Sequence, residues 1–182
     1  MKAKHILLLS LIIAMAMLRL GTADIANFAP IAGIGIFAVY YFKKKWMAFL
    51  LALGALFLSD LVINATNGYD FYAGRLWDYL GFAVGIVLAF LILAQKRNFT
   101  TALTSALGAS LLFFIISNFG VWAGSSYYAQ TIEGLMACYA AGLPFFKNTL
   151  AGDVLFTGAF IGAFQGLRAL LPSLEVEDAL VR

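Results

Sequence analysis

The chain has one cysteine and one histidine in 182 residues. A lone cysteine, Cys138, excludes an intramolecular disulfide. With His5 as the only imidazole, no ligand set is spaced for zinc. No phosphate-cradling glycine–lysine loop is present, and no nucleophile stands at motif spacing from a base. The sequence therefore predicts no enzyme and no cofactor. Charge is scarce too: 12 Lys+Arg and 9 Asp+Glu make 12% of the chain, against 63% hydrophobic residues. A soluble domain carries about twice that charged fraction, so an ordinary soluble globule is excluded. A basic–aromatic surface for nucleic acid is also missing, and the net charge of +3 needs another explanation.

Long apolar runs dominate, with a mean hydropathy of +0.93. A bilayer span needs about 20 mainly apolar residues, and six segments approach that: 6–20, 28–42, 46–63, 76–94, 100–117 and 148–171. They leave no room for a soluble domain, so residues 1–182 read as one all-α transmembrane domain. Lys2 and Lys4 before the first run, with Thr22-Ala23 after it, have the outline of a secretory signal peptide. Because five more spans follow, the run is read as a retained first helix. Lys2, Lys4, Lys43, Lys44, Lys45, Lys96, Arg97, Arg168 and Arg182 fall on one side of this arrangement, and only Arg19, Arg75 and Lys147 on the other. The first side is then cytoplasmic and both termini lie inside; this rule, rather than an anionic partner, accounts for the basic balance.

The connectors divide by side. The inner ones, 43–45 and 95–99, are minimal; the outer ones, 19–27, 64–75 and 118–147, are longer. The outer group holds Tyr69, Phe71, Tyr72, Trp122, Tyr127, Tyr128, Tyr139, Phe145 and Phe146, with Trp77 and Tyr79 at the adjoining start of the fourth span. An interfacial aromatic belt explains part of this, but long loops on one face alone point to a binding vestibule. Within the last loop, 131–142 reads as a short interfacial helix ended by Gly142 and Pro144, with Cys138 as a small buried hydrophobe on it.

Polar residues inside the spans add a floor. At about 1.5 Å per residue, Arg19, Asp60 and Asp153 fall near one level in the outer half of the bilayer. An ionised group there costs several kcal/mol unless paired or wet. The expectation is that Arg19 pairs with Asp60 or Asp153 while one group addresses a ligand; a purely structural ion pair is the other reading. Asn27, Asn64, Asn118 and Asn148 either extend this layer or cap helices. Trp122, Tyr127, Tyr128 and Tyr72 would stack on a planar or aromatic small molecule, and glycines within 120–124 would let the loop gate. Gly81-x-x-x-Gly85 and Gly158-x-x-x-Gly162 have the spacing of close helix contacts.

Asn27-Phe28-Ala29-Pro30-Ile31-Ala32, Phe57-Leu58-Ser59-Asp60, Ser117-Asn118-Phe119-Gly120-Val121-Trp122 and the run from Gly142 through Pro144 and Asn148 to Asp153 together resemble a family of small bacterial membrane proteins described as transport proteins. More widely the chain is similar to the substrate-binding S components of energy-coupling-factor (ECF) vitamin transporters, distantly the stand-alone cobalamin type. The resemblance implies a six-helix bundle in the bacterial inner membrane. Such a protein binds a vitamin or similar micronutrient with the loops after helices one, three and five, and a separate energising transporter module can act as partner. Cobalamin itself is not carried over, because the one cysteine lies in the last outer connector. The expected function is capture of a small micronutrient at the outer face for uptake. The rivals are a structural or assembly membrane protein that docks a partner through the outer loop, and a membrane-embedded enzyme using Asp60 or Asp153.

Overall fold

A computed structural model of the chain describes residues 10, 13–14, 17–22, 25–42, 45–68 and 74–170. Among these residues the fold is all helical, with six helices and no strand. The described helical residues at 10, 13–14 and 17–21 belong to α1. They are followed by α2 (Ile31–Tyr41), α3 (Lys45–Asn67), α4 (Arg75–Gln95), α5 (Phe99–Gly124) and α6 (Ile132–Leu170). Four stretches are long and apolar enough to cross a membrane: Phe49–Asn67, Arg75–Gln95, Phe99–Gly124 and Ile132–Leu167. The protein is membrane-embedded, and its large exposed side chains, among them Leu50, Leu58, Leu76, Leu91 and Leu155, are those hydrocarbon tolerates.

The second expected span, 28–42, is the first correction. Its helix has 11 residues, about 16 Å at the usual rise, roughly half the hydrocarbon thickness. It is apolar all round, and such a helix is stable when surrounded. From Ile34 to Val39 each residue is buried, and the helix packs against α3, α4, α5 and α6. Phe37, Tyr41 and Phe164 interlock at its C-terminal end, with centroids 4.3–5.7 Å apart. Thus α2 is the core around which longer helices stand. Composition alone cannot separate a buried half-length helix from a lipid-facing full one.

The last outer connector is the second correction. Residues 118–147 are helical over most of their length: α5 continues to Gly124, α6 begins at Ile132, and only 125–131 is irregular. Thus no separate interfacial helix exists there, since 132–142 belongs to the first turns of α6. Gly142 does not stop α6; it lets the helix pass α5, because a Cβ there would collide with the Asn118 amide. Pro144 lies inside the helix, costing one intrahelical bond, a loss that neighbouring helices make tolerable in membranes. With 39 residues, α6 is about 58 Å long, nearly twice the hydrocarbon core. Its N-terminal half and the end of α5 form a hairpin around 125–131. Gly81 and Gly85 do mark the α4–α5 contact, against Phe113 and Ala109, whereas a Cβ at Gly162 would meet nothing.

Candidate functional site

Asp60, one turn before the last turns of α3, is 1% exposed and gathers three helices. Its Oδ1 forms ion pairs with Arg19 Nη2 of α1 at 2.6 Å and Arg75 Nη1 of α4 at 2.7 Å. Its Oδ2 accepts from the Tyr79 hydroxyl at 2.8 Å. Arg75 and Tyr79 are four residues apart, hence on one face of α4. Arg19 Nη1 also donates to Ser59 Oγ at 2.6 Å. A cation in the first turn of a helix opposes the helix dipole, and Asp60 offsets that for Arg75. Of the two expected pairings of Arg19, the one with Asp60 forms.

Asp153 on α6 is 2% exposed and has a different environment. Its Oδ2 accepts from Ser110 Oγ of α5 at 2.6 Å. The backbone N–H of Ala32, in the first turn of α2, also bonds to it. The α2 N-cap position is Pro30, which has no side-chain cap bond, so Asp153 supplies from another helix the acceptor that a helix N-terminus needs. Close approach makes this possible: a Cβ at Gly152 would press on Ala29 and Phe28.

Two cavities lie at this end of the bundle. The first, about 300 Å³, is lined by Arg19, Asp60, Arg75, Asp78, Tyr79 and Asp153, with Thr22, Asn27, Thr149, Phe82 and Phe113. The second, about 380 Å³, lies under the α5–α6 hairpin and is lined by Phe113, Phe114, Phe145, Phe146, Asn118, Tyr128 and Cys138 among others. Asn27, Asp78, Phe113 and Thr149 belong to both walls. Asn27 adopts a left-handed backbone, φ 59°, which asparagine tolerates better than most residues. That turn carries the chain into α2 beside both cavities.

Of the residues singled out in the sequence, Arg19, Asn27, Asp60 and Asp153 line the first cavity, and Asn27, Asn118 and Tyr128 the second. The others stand elsewhere. Trp122 stitches the hairpin: its Nε1 donates to Ala129 O at 2.9 Å, while its own carbonyl accepts from Gln130 Nε2 at 2.6 Å. Tyr127 is 85% exposed at the hairpin tip. Asn148 donates to Ala26 O at 2.9 Å and ties the α1–α2 connection to α6. Asn64 is buried one turn beyond Asp60, with no partner for its side-chain amide among the described residues, and lines neither cavity. Tyr72 lies outside the described residues. The expected gate in 120–124 is the last turn of α5, with Gly120 packed against the Trp77 ring.

Sequence reading passed over Arg75, Asp78, Tyr79, Ser110, Thr149 and Phe113. The signal for the first three was present: Arg75, Asp78 and Tyr79 occupy two turns at the start of an apolar span, where a charged pair has no reason to be unless it faces a polar interior. The described residues contain no cluster of three or more metal-ligating side chains.

Residues 1–174 match DUF6580, a family of unknown function, and the chain belongs to that family. No curated protein and no solved structure matches it.

Proposed function

We propose that this protein is a six-helix, N-in/C-in substrate-binding component of the bacterial inner membrane that captures a small micronutrient from the outer face for uptake. One observation carries the reading: among the described residues five acidic or basic side chains, Arg19, Asp60, Arg75, Asp78 and Asp153, line a single cavity of about 300 Å³ in an apolar bundle. Charged groups at membrane depth are costly and cluster on substrate or ion paths. The volume matches the lower end of small-molecule pockets, about 300–1,000 Å³. The asymmetry of Lys and Arg supports an outward-facing cavity. No ATP-binding motif occurs in the sequence, so the driving force comes from a partner module or from the substrate gradient.

Native mass spectrometry of the gently purified protein, followed by a thermal-shift panel of vitamins and their precursors, tests the proposal. The expected result is a stoichiometric small molecule whose stabilisation is lost in Asp78→Asn and Thr149→Val. A protein that carries no small molecule and gains no stability from any panel member would overturn the reading.

A further inference from the structure

We infer that Asp153 holds a proton while the charged cavity is empty and exchanges it for a positively charged group, so that the site takes a small organic cation of the amine or quaternary ammonium class. The inference rests on the binding role proposed above and names the substrate class. Asp153 lies near the middle of the apolar stretch Ile132–Leu167 and is 2% exposed. Its helix packs on α5 and α2. Neither contains an acidic or basic residue, and their only titratable groups, Tyr40 and Tyr41, stand at the far end of α2. On α6 itself the flanking cations in the sequence are Lys147 and Arg168. Across the cavity stand Arg19, Asp60, Arg75, Asp78 and Tyr79, and both arginines pair with Asp60. Among the described residues no cation lies within ion-pair distance of Asp153. A carboxylate left alone at membrane depth is costly and ordinarily takes up a proton instead.

The hydrogen bonds around it fit that state. Serine has one hydroxyl proton, yet Ser110 Oγ lies 2.9 Å from Ala106 O and 2.6 Å from Asp153 Oδ2. An ionised carboxyl can accept that proton only by drawing it away from Ala106 O. A protonated carboxyl donates to Ser110 Oγ, which donates in turn to Ala106 O, and each contact then holds one proton. The Ala32 N–H serves both states, because the carbonyl oxygen of a neutral acid still accepts. Ser110 thus turns from one acceptor to the other as the proton leaves.

Net charge gives the ligand its sign. Two arginines and three aspartates line the cavity, so the wall is neutral when Asp153 is protonated and carries one negative charge when it is not. A monovalent cation keeps the balance: the carboxyl O–H breaks, its proton passes to bulk water, and the carboxylate faces the cation. This count does not depend on which neighbours Arg75 and Asp78 bond. An anionic ligand would instead have to draw Arg19 or Arg75 away from Asp60. Phe28, Phe82, Phe113 and Tyr79 line the same space, and ring faces attract ammonium groups. The described residues offer no cluster of three or more metal-ligating side chains, so an organic cation suits the wall better than a metal ion.

Fixed-charge probes test this on the full-length protein in an uncharged detergent. Choline and benzyltrimethylammonium are compared with 3,3-dimethylbutan-1-ol and neopentylbenzene, which keep the shape and lack the charge. Dissociation constants come from thermal shift against concentration, and proton release from calorimetry in buffers of different ionisation enthalpy. The expected result is that at least one cation binds tenfold or more tightly than its neutral counterpart and releases about one proton. Its affinity should rise by up to about tenfold per pH unit while the proton is being displaced. Asp153→Asn should abolish both the release and the preference for charge. In infrared difference spectra of the wild type, the C=O stretch of a protonated carboxyl should vanish on saturation with the cation, a readout that needs no variant. Binding without proton release, equal affinity for the neutral counterpart, or absence of that band from the empty protein would each overturn the inference. If a panel vitamin binds without releasing a proton and neither cation binds, the substrate class falls and the binding role stands. If nothing binds from either set, both fall.

Discussion

At the scale of single residues, Asp60 decides how one end of the bundle holds together. One buried carboxylate forms ion pairs with two guanidiniums and accepts from a phenol, the partners drawn from α1 and α4. A buried ion pair adds little net stability over an apolar substitute, yet removing one partner strands the rest. Asp60→Asn leaves Arg19 and Arg75 facing each other without the anion, so it should destabilise by about 3–5 kcal/mol, roughly 6–20 °C in melting temperature for a chain of this size. Arg19→Gln leaves Asp60 with Arg75 and Tyr79 and should cost clearly less. Thermal unfolding of both variants in one detergent checks the order, and an Arg19→Gln loss equal to that of Asp60→Asn would show that Asp60 is not the hub. That Arg19 pairs with a carboxylate was legible in the sequence, because a charge inside an apolar run must find a partner or water; that Asp60 rather than Asp153 is the partner was not. The partnership of Asp153 with Ser110 and the α2 N-terminus was not, since a serine and a backbone N–H leave no mark in composition.

At the scale of elements, glycine and asparagine carry meanings that local reading confuses. Asn98 behaves as its type suggests: its Oδ1 accepts from Thr101 N at 2.8 Å and Thr101 Oγ1 accepts from Asn98 N at 3.0 Å, a reciprocal cap at the start of α5. Asn98→Ala should therefore cost about 1 kcal/mol, measurable as a small drop in melting temperature with no change in ligand binding. Gly142 and Gly120 behave differently. They were read as a helix stop and a flexible gate, because glycine next to proline, or in a loop, is ordinarily punctuation. In the fold each marks a place where another helix's side chain occupies the space of the missing Cβ, Asn118 at Gly142 and Trp77 at Gly120. Which neighbour stands there is a tertiary fact, so the length of α5 and α6 was not legible locally. Substitution separates the two kinds of glycine. Gly120→Ala should cost about 1–3 kcal/mol through overpacking against Trp77. Gly54→Ala, where a Cβ would meet nothing within 4 Å, should gain about 0.5–1 kcal/mol from helix propensity alone. Opposite signs in a thermal-unfolding comparison support this; equal effects would mean that the α4–α5 contact is loose.

At the scale of the whole molecule, the six-helix count agrees with the sequence, while the half-length α2 changes how those helices fill the bilayer. A buried 11-residue helix gives its long neighbours a common surface, and its N-terminus ends at the level of Asp153, where the charged cavity opens. The charged cavity thus lies at the N-terminal end of this core helix. If that end faces outward, the α5–α6 turn at 125–131 and the α4–α5 turn at 96–98 lie on opposite sides of the membrane. The single native cysteine makes this measurable. In a Cys138→Ser background, Ser125→Cys should then react with a membrane-impermeant maleimide added to intact cells, because Ser125 directly follows the end of α5 that this orientation turns outward. Arg97→Cys, in the short turn between α4 and α5, should react only after permeabilisation. The reverse labelling pattern would place the cavity on the cytoplasmic face, and capture from outside would then be impossible whatever the cavity binds.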